Sequence, residues 1–270
     1  MTALLTPRLD QNGPIATLQA PDRWQRIELL SDLHLSEATP RTVEAFLHQL
    51  RTSQADAFLL LGDVFEVWVG DDAARHTGFE QTMLAAMAAA AGGRWLGFMA
   101  GNRDFLVGPE ALTRAQAHAL PDPLCLAAWG QRWLLTHGDA FCLDDTEYQA
   151  FRQQVRAPAW QSNILAQPLA QRIETGRRMR DASEARKAAQ VPEHYADVDQ
   201  AASVALMTTA QATVLIHGHT HRPTSEPWGP AGQRHVLSDW DFDGAQARGD
   251  VLELSGAGVH RRPVSPRSSG

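Results

Sequence analysis

Residues 216–223 read Ile-His-Gly-His-Thr-His-Arg-Pro and follow directly on the apolar run 212–215. An apolar, β-branched run that ends in alternating histidines predicts a buried strand with imidazoles at its carboxyl end. Residues two apart in an extended chain face the same way, so His217 and His219 are directed at one point. Gly218 between them lets the backbone approach whatever they bind. Two converging imidazoles indicate a transition-metal site, although a polar loop that happens to contain histidines would show the same pattern.

Four further apolar runs end in residues of the types that bind metals, and they decide between these two interpretations. The run 26–30 precedes Asp32 and His34, whose spacing places both on one side of the strand end. The runs 57–61, 95–100 and 132–136 end in Gly62-Asp63, Gly101-Asn102-Arg103-Asp104 and His137-Gly138-Asp139. Each fragment alone has a plain structural explanation, such as a helix cap or a satisfied buried histidine, but the ordered set favours a metal site.

The same runs define the expected fold. They alternate with segments 39–50 and 79–91, whose apolar spacing and alanine content predict helices. Closing strands are expected at 235–237 and 249–254. This alternation predicts an α/β domain whose site lies beyond the carboxyl ends of the strands. Residues 1–25 show no clear periodicity, and we expect an N-terminal extension or an edge strand there.

Composition sets limits on partners and compartment. The net charge of −7 argues against nucleic acid as a partner. Cys125 and Cys142 have no CxxC or zinc-ribbon spacing, which favours a reducing compartment over a disulfide framework. The first twenty residues lack the apolar core of a signal peptide, and no apolar stretch approaches the ~20 residues of a spanning helix. We therefore expect a chain that is soluble or lies on a membrane surface.

The long segment between the fourth and fifth runs must carry structure of its own, because it exceeds the length of an ordinary loop. Helical patterns run over 148–155, over 160–180 with a break near Pro168, and over 183–190. From residue 148 to residue 190 there are seven arginines and one lysine against three acidic residues. A basic insert with an apolar face suits an anionic, greasy substrate or an anionic lipid surface. The alternative is a solvated helical face packed on the core.

Collected, the strand ends offer seven metal-binding side chains, which suit two ions sharing a carboxylate better than one ion. They are Asp32, His34, Asp63, Asn102, His137, His217 and His219. Four imidazoles and no thiolate favour Mn²⁺, Fe²⁺ or Zn²⁺ over Ca²⁺ or Mg²⁺. Two such ions clamp the attacking and leaving oxygens of a displacement at phosphorus. Arg103 is placed to neutralise charge on phosphoryl oxygens, and Asp104, Asp139 and His221 are expected to orient the imidazoles.

The order Asp-x-His, Gly-Asp, Gly-Asn-Arg-Asp, His-Gly-Asp and Gly-His-Thr-His resembles that of the calcineurin-like metallophosphoesterases. The resemblance implies a sandwich of two mixed sheets flanked by helices. It implies that one metal is held by Asp32, His34, Asp63 and His219, and the other by Asp63, Asn102, His137 and His217. Asp63 would bridge the two ions, and Asp63, Asn102 and Arg103 would be the catalytic residues.

Four further motifs resemble those of family members that act on a UDP-linked diacylated glucosamine lipid in lipid A synthesis. These motifs lie at 65–72, 101–106, 144–152 and 219–223. That resemblance implies a manganese-dependent hydrolase on the cytoplasmic surface of the inner membrane. Water would attack the α-phosphorus and release UMP and the lipid 1-phosphate. The alternative is a metallophosphoesterase acting on a soluble nucleotide or phosphodiester, for which a basic, apolar insert has no purpose.

The resemblance also implies a domain organisation and a set of substrate contacts. The insert, about 144–192, would form a cap within one domain of residues 26–260, and residues 261–270 would be a disordered tail. A monomer is favoured. Lys187 stands where other members carry asparagine, so the basic contacts of this cap differ from the usual pattern. Substrate contacts would come from Asn102, Arg103, Asp145, Tyr148, Arg180, Ser183, Lys187 and His217.

Overall fold

The computed structural model describes residues 6–75, 77–189 and 196–264, apart from the side chains of residues 184 and 186–189. Its strands are β1 (Arg8–Asp10), β2 (Ala16–Gln19), β3 (Ile27–Leu30), β4 (Ala57–Leu61), β5 (Trp95–Met99), β6 (Ala117–Leu120), β7 (Leu124–Ala128), β8 (Gln131–Thr136), β9 (Val214–His217), β10 (Thr224–Trp228), β11 (Gly232–Val236), β12 (Asp250–Ser255) and β13 (Gly258–Pro263). Its helices are α1 (Pro40–Thr52), α2 (Phe79–Ala91), α3 (Pro109–Arg114), α4 (Thr146–Arg156), α5 (Pro158–Leu165), α6 (Leu169–Ala189) and α7 (Gln200–Ala210).

The strands form two mixed sheets, which confirms the predicted fold class. One sheet has the order β13-β12-β3-β4-β5-β6, and β3 to β6 run parallel within it. The other has the order β1-β2-β7-β8-β9-β11-β10, and β8, β9 and β11 run parallel. Because parallel strands end at the same edge of a sheet, the carboxyl ends of β3, β4 and β5 lie together, as do those of β8 and β9.

One apolar core lies between the two sheets. It includes Leu29, Leu59 and Leu61 from one sheet and Leu126, Leu135 and Ile216 from the other, all of them fully buried. Strand β4 is buried at every position, which explains why its sequence is a continuous apolar run without alternation. Helices α1 and α2 cover the outer face of the first sheet, and α7 covers that of the second. The strands that carry the predicted ligands at their ends are therefore packed between buried apolar cores.

The insert forms the three helices α4, α5 and α6, which we call the cap. The break expected near Pro168 falls between α5 and α6. The second expected break, between residues 180 and 183, is wrong, since α6 continues to Ala189. Arg177 and Arg178 form ion pairs with Glu174 and Asp181 one turn away, and such pairs stabilise a helix across this region.

The two ends of the chain also join the sheets. The leading segment, expected as an extension or an edge strand, contributes β1 and β2, and β2 pairs in parallel with β7. The expected start of the disordered tail at residue 261 is wrong, because β13 pairs with β12 as far as Pro263. Arg261 stabilises this strand by an ion pair of 2.8 Å with Asp250. Residues 265–270 lie outside the described part of the chain.

Candidate metal centre and cap

The loops after β4, β5 and β8 bring three of the predicted ligands together. The Nε2 atom of His137 lies 3.0 Å from Oδ1 of Asn102 and 3.6 Å from Oδ1 of Asp63. The other ring nitrogen, Nδ1, lies 2.9 Å from the carbonyl oxygen of Leu61, so that Nε2 is the nitrogen that faces the site. Asp32, Asp63 and His137 are all buried, and their ligand atoms lie within 4.8 Å of one another. This cluster has the donor types and spacing of a divalent-cation site.

A second cluster at the end of β3 includes a histidine that the sequence assigned to a supporting role. The Nε2 atom of His221 lies 3.2 Å from Oδ1 of Asp32 and 3.4 Å from Nε2 of His34. Asp32, His34 and His221 place their ligand atoms within 4.8 Å of one another. His221 therefore contacts predicted ligands directly, in addition to lying 3.7 Å from the carboxylate of Asp239. The alternation that selects His217 and His219 extends to His221, so the signal was present in the sequence.

The segment that carries the histidines of the motif at 216–223 contacts the end of β3. The backbone amide of His219 donates to Oδ2 of Asp32 at 2.9 Å, which joins the end of β9 to that of β3. A side chain at Gly218 would collide with Ser31 and Asp32, so glycine is needed for this approach. The Nε2 atom of His217 is buried and has no hydrogen-bond partner among the described residues. A buried imidazole nitrogen with a free lone pair fits a metal ligand, because such groups are otherwise satisfied.

Five residues of this centre have a left-handed backbone, although none is glycine. Their φ angles lie between 47° and 67°, and they are Asp32, His34, Asp63, His219 and His221. This conformation is uncommon outside glycine and clusters at functional sites, where the surrounding structure enforces it. All five are predicted ligands or contact predicted ligands, so the strain is concentrated where the cations would bind.

Burial and neighbouring charges shift the pKa values of the predicted ligand histidines in opposite directions. Burial lowers the pKa of His217 to about 4, and burial together with the charge of His137 lowers the pKa of His219 to about 4. Both rings are neutral at physiological pH, as metal ligands must be. Burial would also lower the pKa of His137, but the carboxylates of Asp63, Asp32 and Asp139 outweigh it and raise this pKa to about 9. His137 is therefore protonated at neutral pH when no cation is bound.

Metal binding is consequently expected to release a proton and to strengthen as the pH rises. His137 must lose its proton before Nε2 can bind a cation, and the carboxylates of Glu66, Asp63 and Asp32 outweigh burial and raise the pKa of the predicted ligand His34 as well, so the apparent affinity should increase at least about tenfold per pH unit from pH 7 towards 9. Isothermal titration with Mn²⁺ in buffers of different ionisation enthalpy measures both the affinity and the number of protons released. An affinity that is constant between pH 7 and pH 8.5 would contradict this assignment.

Asp104 joins the loops that carry Asp63 and Asn102, and within the described residues it makes no hydrogen bond to an imidazole, unlike the role expected from the sequence. Its Oδ1 accepts the amide of Gly101 at 2.7 Å, and its Oδ2 accepts the amides of Val64 at 2.8 Å and Phe65 at 3.3 Å. Burial, followed by the charge of Asp63, raises the pKa of this fully buried carboxyl to about 6. Asp104 thus fixes the backbones that carry Asn102 and Asp63.

We expect Asp104→Ala to lower the free energy of unfolding by about 3 kcal/mol, since three buried amides would lose their acceptor at roughly 1 kcal/mol each. Urea unfolding of the metal-free protein measures this change. Asp181→Ala on the exposed face of α6 is the control, for which we expect a change within about 0.5 kcal/mol. Equal stability of the two variants would refute the loop-joining role.

The cap closes over the metal centre and leaves a cavity of about 230 Å³ between α5, α6 and the β4 loop, which we define as residues 62–72. Five of the predicted substrate contacts line this cavity, namely Asn102, Arg103, Tyr148, Arg180 and Ser183. Asp145 and His217 do not line it: Asp145 caps α4 by accepting the amide of Tyr148, and His217 is buried at the end of β9. The side chain of Lys187 lies outside the described residues. The substrate roles of all these residues stay predictions.

The cap is fastened to the β4 loop by a buried arginine that the sequence did not single out. Arg172 on α6 is 3% exposed and forms an ion pair with Asp72. It also donates to the carbonyl oxygens of Val69 at 2.5 Å and Gln167 at 3.0 Å. A second support comes from Asp139, whose Oδ2 accepts the hydroxyl of Tyr148 at 2.7 Å and Nε of Arg152 at 2.8 Å. The cap is therefore a fixed wall of the cavity.

Two mixed sheets with ligand clusters at adjoining strand ends are the architecture of a metallophosphoesterase. Sequence comparison agrees: a family model described as calcineurin-like phosphoesterase matches residues 26–223, and the chain belongs to this family. The UDP-2,3-diacylglucosamine hydrolase of Bordetella pertussis is 42% identical over 86% of this chain and 92% of that protein. Proteins of the same name from Xanthomonas oryzae pv. oryzae and Ralstonia nicotianae are 43% and 44% identical, over 85% and 87% of this chain and 95% and 91% of theirs.

Proposed function

We propose that this protein is a two-metal hydrolase that cleaves the diphosphate of UDP-2,3-diacylglucosamine and releases UMP and 2,3-diacylglucosamine 1-phosphate. The observation that carries the proposal is the cavity between metal centre and cap, which joins charged residues beside the ligands to an apolar interior. The names of the relatives agree with a substrate of this kind. A role in lipid A synthesis follows from that substrate.

The cations would be held by the clustered ligands at the strand ends. The donor set of carboxylates, an amide and imidazoles without thiolates suits Mn²⁺, and we propose it as the resident ion. Two bound cations supply an activated water and neutralise charge on the phosphoryl oxygens. Asp63 would be the carboxylate that both cations share, as the family resemblance implies; it lies 3.6 Å from His137, while Asp32 belongs to both clusters and would lie between the two positions.

Residues beside the ligands would orient the diphosphate. Arg103 and Asn102 both line the cavity, and the side chain of Arg103 is 8% exposed. A guanidinium in such a poorly solvated position attracts an anion more strongly than one in water does. Arg103 would contact the phosphoryl oxygens as charge builds up on them, and Asn102 would fix the group in line with the attacking water.

The interior of the cavity suits the acyl chains. Its apolar lining includes Phe105, Leu106, Phe151, Trp160, Ile164 and Met179. Burying an acyl chain against such residues contributes about 0.8 kcal/mol per methylene group, so the lipid part would supply much of the binding energy. A soluble nucleotide substrate would leave this surface without a purpose.

The cap also carries the features of a surface that rests on lipid. The large hydrophobic side chains that are exposed in the described part of the chain are Leu143, Leu165 and Ile173, all on the cap or next to it. Arg177, one turn after Ile173, is also exposed. Among the described residues, no helix has both the length and the apolar character to cross a bilayer. We propose peripheral association with the cytoplasmic surface of the inner membrane through this face.

The test is an assay of UMP release in the presence of Mn²⁺. The diacylated substrate is compared with the same UDP-sugar lacking acyl chains, and we expect kcat/KM to be at least about 100-fold higher for the lipid, since only it fills the cavity. Equal values would favour a soluble nucleotide or phosphodiester as substrate. Absence of UMP from both would refute the proposed reaction.

A further inference from the structure

Glu66 lies in the β4 loop, and its two carboxylate oxygens contact different parts of the molecule. Oε2 lies 3.0 Å from Nδ1 of His34, one of the predicted ligands. Oε1 lies 2.6 Å from Nε of Arg180 on α6 and 3.6 Å from Nη1 of Arg103. The side chain of Glu66 is only 17% exposed. One carboxylate therefore joins the metal centre to the cap.

The contact with His34 has a direct consequence for the ligand. The Nδ1 atom of His34 is buried without a well-directed hydrogen bond to any described residue, so Glu66 is the acceptor that the structure offers it. A proton kept on Nδ1 places the lone pair of the neutral ring on Nε2, which lies 3.4 Å from Nε2 of His221. Carboxylates that hold a ligand imidazole in this way set its tautomer and ring orientation, and their removal weakens metal binding.

Three groups that favour the ionised form of Glu66, namely His34, Arg103 and Arg180, face its carboxylate. Burial would raise the pKa of Glu66, but His34, Arg103 and Arg180 outweigh it and lower this pKa to about 2. Three cationic or proton-donating groups thus surround one ionised carboxylate. Removing any one of these three groups leaves the other two beside Glu66, but it changes which groups the two carboxylate oxygens contact.

The contact with Arg180 adds a second attachment of α6. Arg172 fastens this helix to the β4 loop at Val69 and Asp72, and Arg180 fastens it at Glu66, two turns further along. Arg180 lines the cavity, and its side chain is 49% exposed. The position of this part of the cap therefore depends on the same carboxylate that positions His34.

We propose that Glu66 is a positioning residue that couples the cap to the metal centre, holding the ligand His34 with one oxygen and the cap residue Arg180 with the other. The inference rests on the metal centre of the proposed function. It assigns to Glu66 no contact with the reacting atoms. It predicts that a single carboxylate controls two measurable properties, metal affinity and the mobility of α6.

The experiment uses the full-length protein and Mn²⁺ as the probe. Glu66→Gln keeps the shape of the side chain and removes its charge, so we expect the Mn²⁺ dissociation constant, measured by chelator competition, to rise about 10- to 100-fold. Hydrogen exchange of the amides in residues 176–183 should become faster. Glu110→Gln is the matched control, because this exposed acid lies on α3 and pairs with Arg75 rather than with α6 or a predicted ligand. It should leave both properties unchanged.

Arg180→Gln tests the attachment of α6 separately from the metal affinity. It should speed exchange in residues 176–183 as much as Glu66→Gln does, while the Mn²⁺ dissociation constant changes by less than about threefold, since Glu66 still faces His34. The double variant should exchange no faster than either single one. Arg180 is half exposed, so this variant is informative even if Glu66→Gln folds poorly.

The outcomes are distinct. Wild-type protein that binds Mn²⁺ beside a Glu66→Gln variant with unchanged affinity would overturn this inference and leave the proposed function standing. Additive effects on exchange in the double variant would overturn the coupling through Glu66. Wild-type protein that binds no Mn²⁺ would overturn the metal centre and the inference together.

Discussion

Asp63→Ala is expected to abolish UMP release, with kcat/KM falling by about 1,000-fold or more. Asp63 is 2% exposed, lies beside His137 and Asp32, and has a left-handed backbone at φ 54°. Its loss would remove a ligand that both cations are expected to share, so neither would keep its place. Metal content after gel filtration and UMP release from the diacylated substrate measure the two effects.

The fold should survive this change, because Asp63 follows β4 and takes no part in the apolar core. Binding to vesicles of anionic lipid should also survive, since the exposed apolar residues of the cap are untouched. Asp63→Asn is a useful second variant, as it keeps an acceptor for the amide of Arg103 but loses the charge. Full turnover by Asp63→Ala would rule out the shared ligand.

Arg172→Ala is expected to lower kcat/KM for the diacylated substrate by about 100-fold. The guanidinium is buried and binds Asp72 and two backbone carbonyl groups, so its loss leaves these acceptors without a donor. Breaking such a pair costs about 3 kcal/mol, the low end of the range, because Asp72 is partly exposed. The loss weakens the attachment of α6 to the β4 loop. The cavity that would hold the lipid therefore loses one of its walls.

Two comparisons make this prediction specific. Mn²⁺ affinity should stay within about threefold of the wild-type value, because Arg172 contacts no ligand in the described structure. Arg177→Ala on the same helix removes an exposed arginine whose ion pairs with Glu174 and Asp181 contribute little, so activity should be unchanged. Undiminished turnover by Arg172→Ala would show that the cap does not need this attachment.

The parts of the fold that follow from burial were predictable from the sequence. Strands such as β4 and β9 are continuous apolar runs, and their ends carry the ligands in an order that the sheets then bring together. Helix α7 was missed because it buries only small or flexible residues, Ser203, Met207 and Ala210, and so shows little apolar periodicity. Strands β1 (Arg-Leu-Asp) and β2 (Ala-Thr-Leu-Gln) contain no continuous apolar run, so they show no clear pattern.

The contacts that support the site were beyond the sequence because they join distant segments through single polar side chains. Asp104 was read as a partner of imidazoles, but its three hydrogen bonds go to backbone amides, which have no sequence signature. Glu66 lies within a motif that the sequence singled out and Arg172 lies in the predicted helical insert, yet the partners of both are set by how the cap folds back. Side-chain spacing reveals ligands, whereas the supporting contacts require the tertiary arrangement.

The left-handed backbones at Asp32, His34, Asp63, His219 and His221 carry a consequence for how such proteins evolve. Each costs on the order of 1 kcal/mol, which bound cations offset but the empty site does not. A lineage released from its chemistry would gain thermal robustness by drifting to glycine or asparagine at these positions, which tolerate that conformation. Decay of the site would thus be favoured by selection for stability alone, and regaining activity would mean giving that stability up.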